Sequence, residues 1–196
     1  TVHASPDSSH IAALCATKLI LYDPSSQSHQ MIEYQGEFFR SFSWRENGEV
    51  AFATSDNHST IFWKALASEL PSGRQEVFRI GIQQQFEAEL PPLFPDHRWS
   101  PRGRFVSFRD TIARVTHREL MIDFDTLQVH EFDFSLFDQN WKPDESLLWI
   151  QYQDWKTKSI SIRLFESESG DVSDISESLE NAIGPTKDLS LFNSFW

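Results

Sequence analysis

Four times along the chain a short polar turn leads into an apolar strand, and this recurrence limits the possible folds more than any other feature. The copies are Ala4-Ser5-Pro6-Asp7-Ser8-Ser9 before IAAL, Trp44-Arg45-Glu46-Asn47-Gly48 before EVAFA, Trp99-Ser100-Pro101-Arg102-Gly103 before RFVSF, and Trp141-Lys142-Pro143-Asp144-Glu145 before SLLWI. Proline presets φ for the second position of a tight turn, and Asp, Asn or Gly tolerate the remainder. A fifth copy starts in LSLFNSFW and reaches Trp196 without a turn. Between the equivalent positions 4, 44, 99, 141 and 196 the spacings are 40, 55, 42 and 55 residues.

A β-rich unit repeating every 40–50 residues or so is the mark of propeller blades. Alternation and β-branched or aromatic content divide each unit into about four short strands. The expected architecture is all-β: a small propeller of four blades, each of four antiparallel strands, over about 5–35, 37–83, 86–134 and 136–176. The third blade is entered through FEAELPPLFPDHRW, whose prolines favour a loop. Residues 176–184 form the one helix candidate, with Gly184 as its stop. The first unit has only four residues before its turn, and residues 188–196 read as an innermost strand without a blade. The two fragments are complementary, so residues 188–196 are expected to close the ring by pairing into the first blade, removing exposed edges. The rivals are a fragment of a longer propeller and an open arc that completes itself by dimerising.

Composition excludes other classes. Hydrophobic residues make up 39% and aromatics 14%, too much for a disordered chain, and no apolar run is long enough to span a membrane. The single cysteine, Cys15, rules out an internal disulfide and fits a reducing, cytoplasmic compartment. The N-terminus lacks the basic start and apolar stretch of a signal peptide. The net charge is −12 and unevenly placed: residues 1–118 carry 13 acidic and 12 basic side chains, residues 119–196 carry 16 and 5. That balance repels phosphate backbones, so direct nucleic-acid binding is not expected.

The W-S-P-x-G and W-x-P-D pattern before an apolar strand resembles the TolB-like and WD-repeat β-propeller families. The resemblance covers essentially the whole chain, through degenerate copies. Only the third unit is close to consensus; the second lacks the proline and the first the tryptophan. No Gly-His or Trp-Asp dipeptide of the WD type occurs, so the TolB-like side is nearer. The resemblance implies a fold and no chemistry, because one superfold hosts many functions.

Trp44, Trp99 and Trp141 stand at equivalent positions and are expected to pack between blades. The histidines His3, His10, His29, His58, His97, His117 and His130 show no metal-ligand spacing, and neither a nucleophile elbow nor a Gly-rich phosphate loop is present. No catalytic residue, metal or cofactor is therefore expected. A hairpin with a loop at Thr126–Gln128 would pair Phe124 with His130, Ile122 with Phe132 and Leu120 with Phe134. Its other face would set Asp125 against Val129, Asp123 against Glu131 and Met121 against Asp133. Such a face is either an edge kept acidic against strand addition or a docking surface for a basic partner, which Asp138, Asp144 and Glu145 could extend. Tyr152 and Trp155, in QYQDWKTKS, are candidate interface anchors, and the acidic stretch Glu166–Glu180 reads as a solvated loop.

The leading expectation is a non-enzymatic protein-binding propeller that takes a basic protein at Asp123, Asp125, Glu131, Asp133, Asp138, Tyr152 and Trp155. In size and acidity it resembles immunity or antitoxin proteins, which neutralise basic nuclease toxins by direct binding. The alternatives are an enzyme or small-ligand binder using the central channel, through Arg40, Ser41, His97, Arg98, Asp138 and Asn140, and a propeller piece of a larger assembly or peptidase. No membrane partner is expected.

Overall fold

In a computed structural model, which describes residues 1–15, 17–56, 59–81, 97–113, 116–134, 136, 138–153 and 160–183, the chain forms four separate four-stranded antiparallel sheets. The first contains β1 (Val2–Ala4), β2 (Ile11–Cys15), β3 (Lys18–Asp23) and β4 (Ser28–Ile32). The second contains β5 (Phe38–Trp44), β6 (Glu49–Ser55), β7 (Ser59–Leu66) and β8 (Gln75–Gly81). The third contains β9 (Arg98–Trp99), β10 (Phe105–Ala113), β11 (Thr116–Asp123) and β12 (Val129–Phe132). The fourth contains β13 (Asp138–Trp141), β14 (Leu147–Gln153), β15 (Ile160–Glu166) and β16 (Val172–Asp174), followed by α1 (Ser176–Ile183). In each sheet the strands lie side by side in chain order. This is the four-bladed propeller layout read from the repeat.

The first blade builds its own innermost strand: Val2, His3 and Ala4 pair with Ala13, Ala12 and Ile11. The expected closing strand, 188–196, lies outside the described residues. The stretch expected as a solvated loop, Glu166–Glu180, instead forms a turn, the edge strand β16 and most of α1.

Consecutive blades stack face to face. Ala12, Leu19, Leu21 and Ile32 of the first blade pack on Phe42, Trp44, Phe52 and Trp63 of the second. Ala51, Ala53 and Phe62 of the second meet Val106, Phe108, Leu120 and Phe124 of the third, with Trp99 at the margin. Phe105, Met121 and Phe132 of the third meet Leu148, Ile150 and Phe165 of the fourth, with Trp141 stacked on Phe105 at 4.8 Å between ring centres. The middle strands of the second and third blades are thus apolar on both sides because both sides are covered. The repeat tryptophans all sit in these interfaces, and Trp44 Nε1 donates to the His3 carbonyl of the preceding blade at 3.0 Å.

The turns of the repeat adjoin one another at these interfaces. Gly103, with φ +69°, lies where a Cβ would come within 2.7 Å of the Trp44 carbonyl oxygen, so only glycine allows this approach. Arg102 reaches from the third blade to Glu46 of the second at 2.9 Å, while its backbone N–H donates to Glu145 of the fourth. Arg45 of the second blade pairs with Asp125 of the third, and Arg163 of the fourth with Asp133 of the third at 3.3 Å.

The β11–β12 register differs from expectation. Glu119 pairs with Phe132, Leu120 with Glu131, Met121 with His130 and Ile122 with Val129. The loop is Phe124–Leu127: Asp123 N–H donates to the Gln128 carbonyl, and Leu127 N–H donates to that of Asp123, both at 2.9 Å. The cause is Asp123, whose Oδ1 accepts from Asp125 N–H at 2.8 Å and so starts the turn directly after itself. A shift by an odd number of residues exchanges the faces of β12, so Asp123 and Glu131 are not opposed.

Replacing Phe105, which is fully buried between the third and fourth blades, by alanine should lower unfolding free energy by about 3–5 kcal/mol. Chemical denaturation would measure this.

Candidate functional site

The residues singled out as a docking surface fall at separate places. Asp123 is 2% exposed and is held by Arg104, whose Nη2 lies 2.8 Å from Oδ2. Burial alone would raise its pKa, but the hydrogen bonds from Arg104 and the Asp125 N–H outweigh that and keep the carboxyl below its ordinary value. Its charge faces inward. Asp125, half-exposed, is shared by Arg45 and Arg104 across the second and third blades. Glu131 is exposed on β12, on the sheet face turned toward the second blade. Asp133, 88% exposed, belongs to the outer seam between the third and fourth blades. Asp138 stands on the innermost strand of the fourth blade, opposite Gln151, at the other edge of the sheet from β16. Tyr152 lies on β14 opposite Ser161, and Trp155 falls outside the described residues.

At the outer seam, His130 of β12 meets Phe165 of β15 edge-on at 5.0 Å. Gly170 is so close that a Cβ there would sit 3.1 Å from His130 Cε1. Arg163 lies over the Phe134 ring at 4.1 Å, between Asp133 and Asp174. Around it the rim is acidic: Glu166, Glu168, Asp171, Asp174 and Glu177 are all exposed. Residues 164–183 contain six carboxylates and no lysine or arginine. Leu127, Val129 and Val172 add exposed apolar side chains on the outer loop and strands of the two blades. The Glu166–Glu180 composition pointed to this rim, but the place of Arg163 within it was not evident from its neighbours in the chain.

The inner strands carry a second polar group. Arg40 is the extra residue of a bulge between Phe39 and Ser41 in β5, a device that redirects a side chain. It donates to Ser55 Oγ, and burial lowers its pKa to about 10, leaving it cationic. His97 sets its ring edge-on to Phe62 and Phe108, at 5.3 and 5.9 Å. Part of the residue remains accessible, yet Nε2 is wholly buried, and burial followed by the nearby Arg40 charge lowers its pKa to about 4. Among the described residues, Ser41 Oγ and His97 Nε2 are buried without a hydrogen-bond partner. On the next interface Gln139 donates to Ser107 Oγ at 2.6 Å. Arg98 is half-buried on β9 and Asn140 exposed on β13.

Neither group has the features of general base catalysis. A histidine with a pKa near 4 stays neutral at pH 7 and is a weak proton acceptor. In the cleft of about 530 Å³ lined by Ser8, Ser9, His10, Asp23, Pro24 and Ser25, Ser9 Oγ donates to Asp7 Oδ1 at 2.8 Å. His10 Nδ1, 2.7 Å from Ser9 Oγ, then has to act as donor, the reverse of an activated serine. The Ser5 hydroxyl, then the Ser9 N–H and hydroxyl, hold the Asp7 pKa at about 2, so this carboxylate serves its turn. Among the described residues no three His, Cys, Asp or Glu side chains are grouped to hold a metal ion, and no helix is long and apolar enough to cross a membrane.

Two measurements check these assignments. His97 is neutral when folded and titrates near its ordinary value, about 6.5, when unfolded. The unfolded state therefore binds the extra proton first, and stability is lost as pH falls from about 6.5 toward about 4. His97→Gln should flatten that slope, on the order of 2 kcal/mol, in denaturation series across this range. Asp123→Ala, which removes the buried partner of Arg104 and leaves the turn uncapped, should destabilise the chain by about 2–4 kcal/mol in the same assay.

Compared with known proteins, the chain matches no family model and no curated protein. Among solved structures it is similar to "putative TolB from Agrobacterium tumefaciens", with a TM-score of 0.55 and 11% identity over 89% of this chain. The chain spans 60% of that chain's length. At this identity the likeness is one of fold, and it agrees with the four-bladed β-propeller layout built above.

Proposed function

We propose that this propeller is a non-enzymatic interaction module whose acidic outer rim, at the third and fourth blades, docks a basic protein. The carrying observation is the run 164–183, which bends through β16 into α1 and presents five exposed carboxylates without a cation of its own. Dense exposed charge of one sign raises the encounter rate with an opposite charge and excludes like-charged partners. Val129 and Val172, exposed on the outer strands, supply apolar area that a purely solubilising surface would not need. Of the residues read from the sequence, Glu131 and Asp133 are exposed, while Asp123 is buried and Asp125 pairs with arginines of two blades. The finer reading is an immunity- or antitoxin-type inhibitor that covers a basic nuclease. The exposed free thiol of Cys15 supports a reducing, cytoplasmic setting.

A second reading rests on Ser41 and His97, whose buried polar atoms face the same gap between the second and third blades as Arg40. A small polar ligand held at the inner strands would supply the missing hydrogen bonds. Neither reading takes function from the fold likeness.

The partner that co-purifies from the source cell should have a basic isoelectric point, and its affinity should fall steeply as salt is raised. Reversing Asp171 and Glu177 to lysine should weaken it at least about tenfold, roughly 1.4 kcal/mol. A neutral or acidic partner, or affinity indifferent to salt, would overturn the charge reading. Loss of nuclease activity on adding the chain would establish the inhibitor role.

A further inference from the structure

Strand β5 changes phase in its middle. Phe39 pairs with Thr54 and Ser41 with Ala53, which leaves Arg40 as the extra residue. Phe39, Phe42 and Trp44 are buried against the first blade, whereas Ala53 is buried against the third. Cross-strand partners share a face, so Ser41 points toward the third blade. In unbroken alternation from Phe39 it would point toward the first. Arg40 takes the same direction: its Nε donates to Ser55 Oγ, two residues beyond Ala53 and therefore on the same face. The bulge sends two consecutive polar side chains into an apolar seam.

The third blade meets them with His97. Its ring stands edge-on to Phe62 at 5.3 Å and to Phe108 at 5.9 Å. Phe62 belongs to the cross-strand row Ser41–Ala53–Phe62, so His97 and Ser41 look onto one stretch of the seam. Among the described residues, Ser41 Oγ and His97 Nε2 are buried there without a hydrogen-bond partner, and Trp99 Nε1 at the same interface is a third such atom. Buried polar atoms are nearly always satisfied, and an exception calls for a reason. A hydroxyl and an imidazole Nε2 can donate; an indole N–H and a guanidinium can do nothing else. The seam is therefore complementary to an acceptor. Charge acts in the same sense, since after burial the influence that lowers the His97 pKa is the Arg40 cation.

We propose that this seam binds a small monocarboxylate, held by Ser41 Oγ and His97 Nε2 beside the Arg40 guanidinium. This rests on the second reading of the function, a small polar ligand at the inner strands, and gives that ligand its chemical class. A carboxylate has about four acceptor positions, enough for both donors while it faces the cation. The imidazole is then held as the Nε2–H tautomer. A dianion such as phosphate would carry a second charge between Phe62 and Phe108, which burial penalises further. Water would complete the hydrogen bonds but bring no charge to answer the cation.

The test follows the imidazole resonances of the isotope-labelled full chain by NMR, at pH 7 and constant ionic strength, with His97→Gln identifying the His97 signals. Acetate should move these signals to saturation, with a dissociation constant of about 1 mM for so small a ligand, and should bring out the Nε2–H pattern. Acetamide, its neutral counterpart, and phosphate should bind at least about tenfold more weakly. Arg40→Gln should weaken acetate at least about tenfold. Ser41→Ala, which removes a buried hydroxyl and leaves the fold intact in a thermal melt, should weaken it at least about threefold. Equal binding of acetamide, or tighter binding of phosphate, overturns the monocarboxylate and keeps a polar ligand at this seam. No response to any of the three overturns both. A response that neither Arg40→Gln nor Ser41→Ala alters places acetate elsewhere and overturns the proposal as well.

Discussion

Face-to-face stacking of small sheets is the interaction on which the rest of this molecule depends. A four-stranded sheet of five-residue strands cannot bury enough surface alone, so each blade is stable only with neighbours on its faces. Phe52 and Phe62 show how this works: both are fully buried on the second blade, Phe52 against the first and Phe62 against the third. The same demand explains Gly103, where the backbone of one blade closes on that of the next, and the hydrogen bond from Trp44 to the preceding blade.

Charge in this protein has two roles that composition cannot separate. At the turns, Arg45, Arg102, Arg104 and Arg163 each meet a carboxylate, and three of these pairings cross between blades. Such pairs orient one blade against the next; the partly buried ones contribute more than exposed pairs, which are worth little. Glu166, Glu168, Asp171 and Glu177 take no part in these pairings and face solvent. A formal charge of −12 therefore describes a nearly neutral first half and an acidic rim. The inner strands follow another logic: Arg40 stays charged at the protein's own bulge, while His97 is held neutral by the apolar walls of Phe62 and Phe108.

Much of the architecture was legible because the period of the repeat is a local property. Turn chemistry in Ser-Pro-Asp, Glu-Asn-Gly, Ser-Pro-Arg-Gly and Lys-Pro-Asp marks where strands reverse, and alternation marks the strands between them. The repeat tryptophans could be assigned to interfaces because they recur at one phase of the unit. What depends on pairing across the chain was less legible. The β11–β12 register turned on a single side chain, Asp123, which can either extend a strand or start a turn. Its apolar neighbours favour the strand, while its bonds to the Asp125 N–H and to Arg104 go with the turn.

By itself the sequence determined a β-rich repeat of four units, a helix after the fourth, an acidic C-terminal half and a chain with one thiol. Each of these is set by residue type and spacing, which act within a few residues. The tertiary structure alone decided which carboxylates face arginines and which face water, because Arg163 and Asp133 are 30 residues apart and Arg45 and Asp125 are 80. It alone decided that the first blade supplies its own inner strand. Burial belongs to a surface and its neighbours, and neighbours are known only once the sheets are stacked.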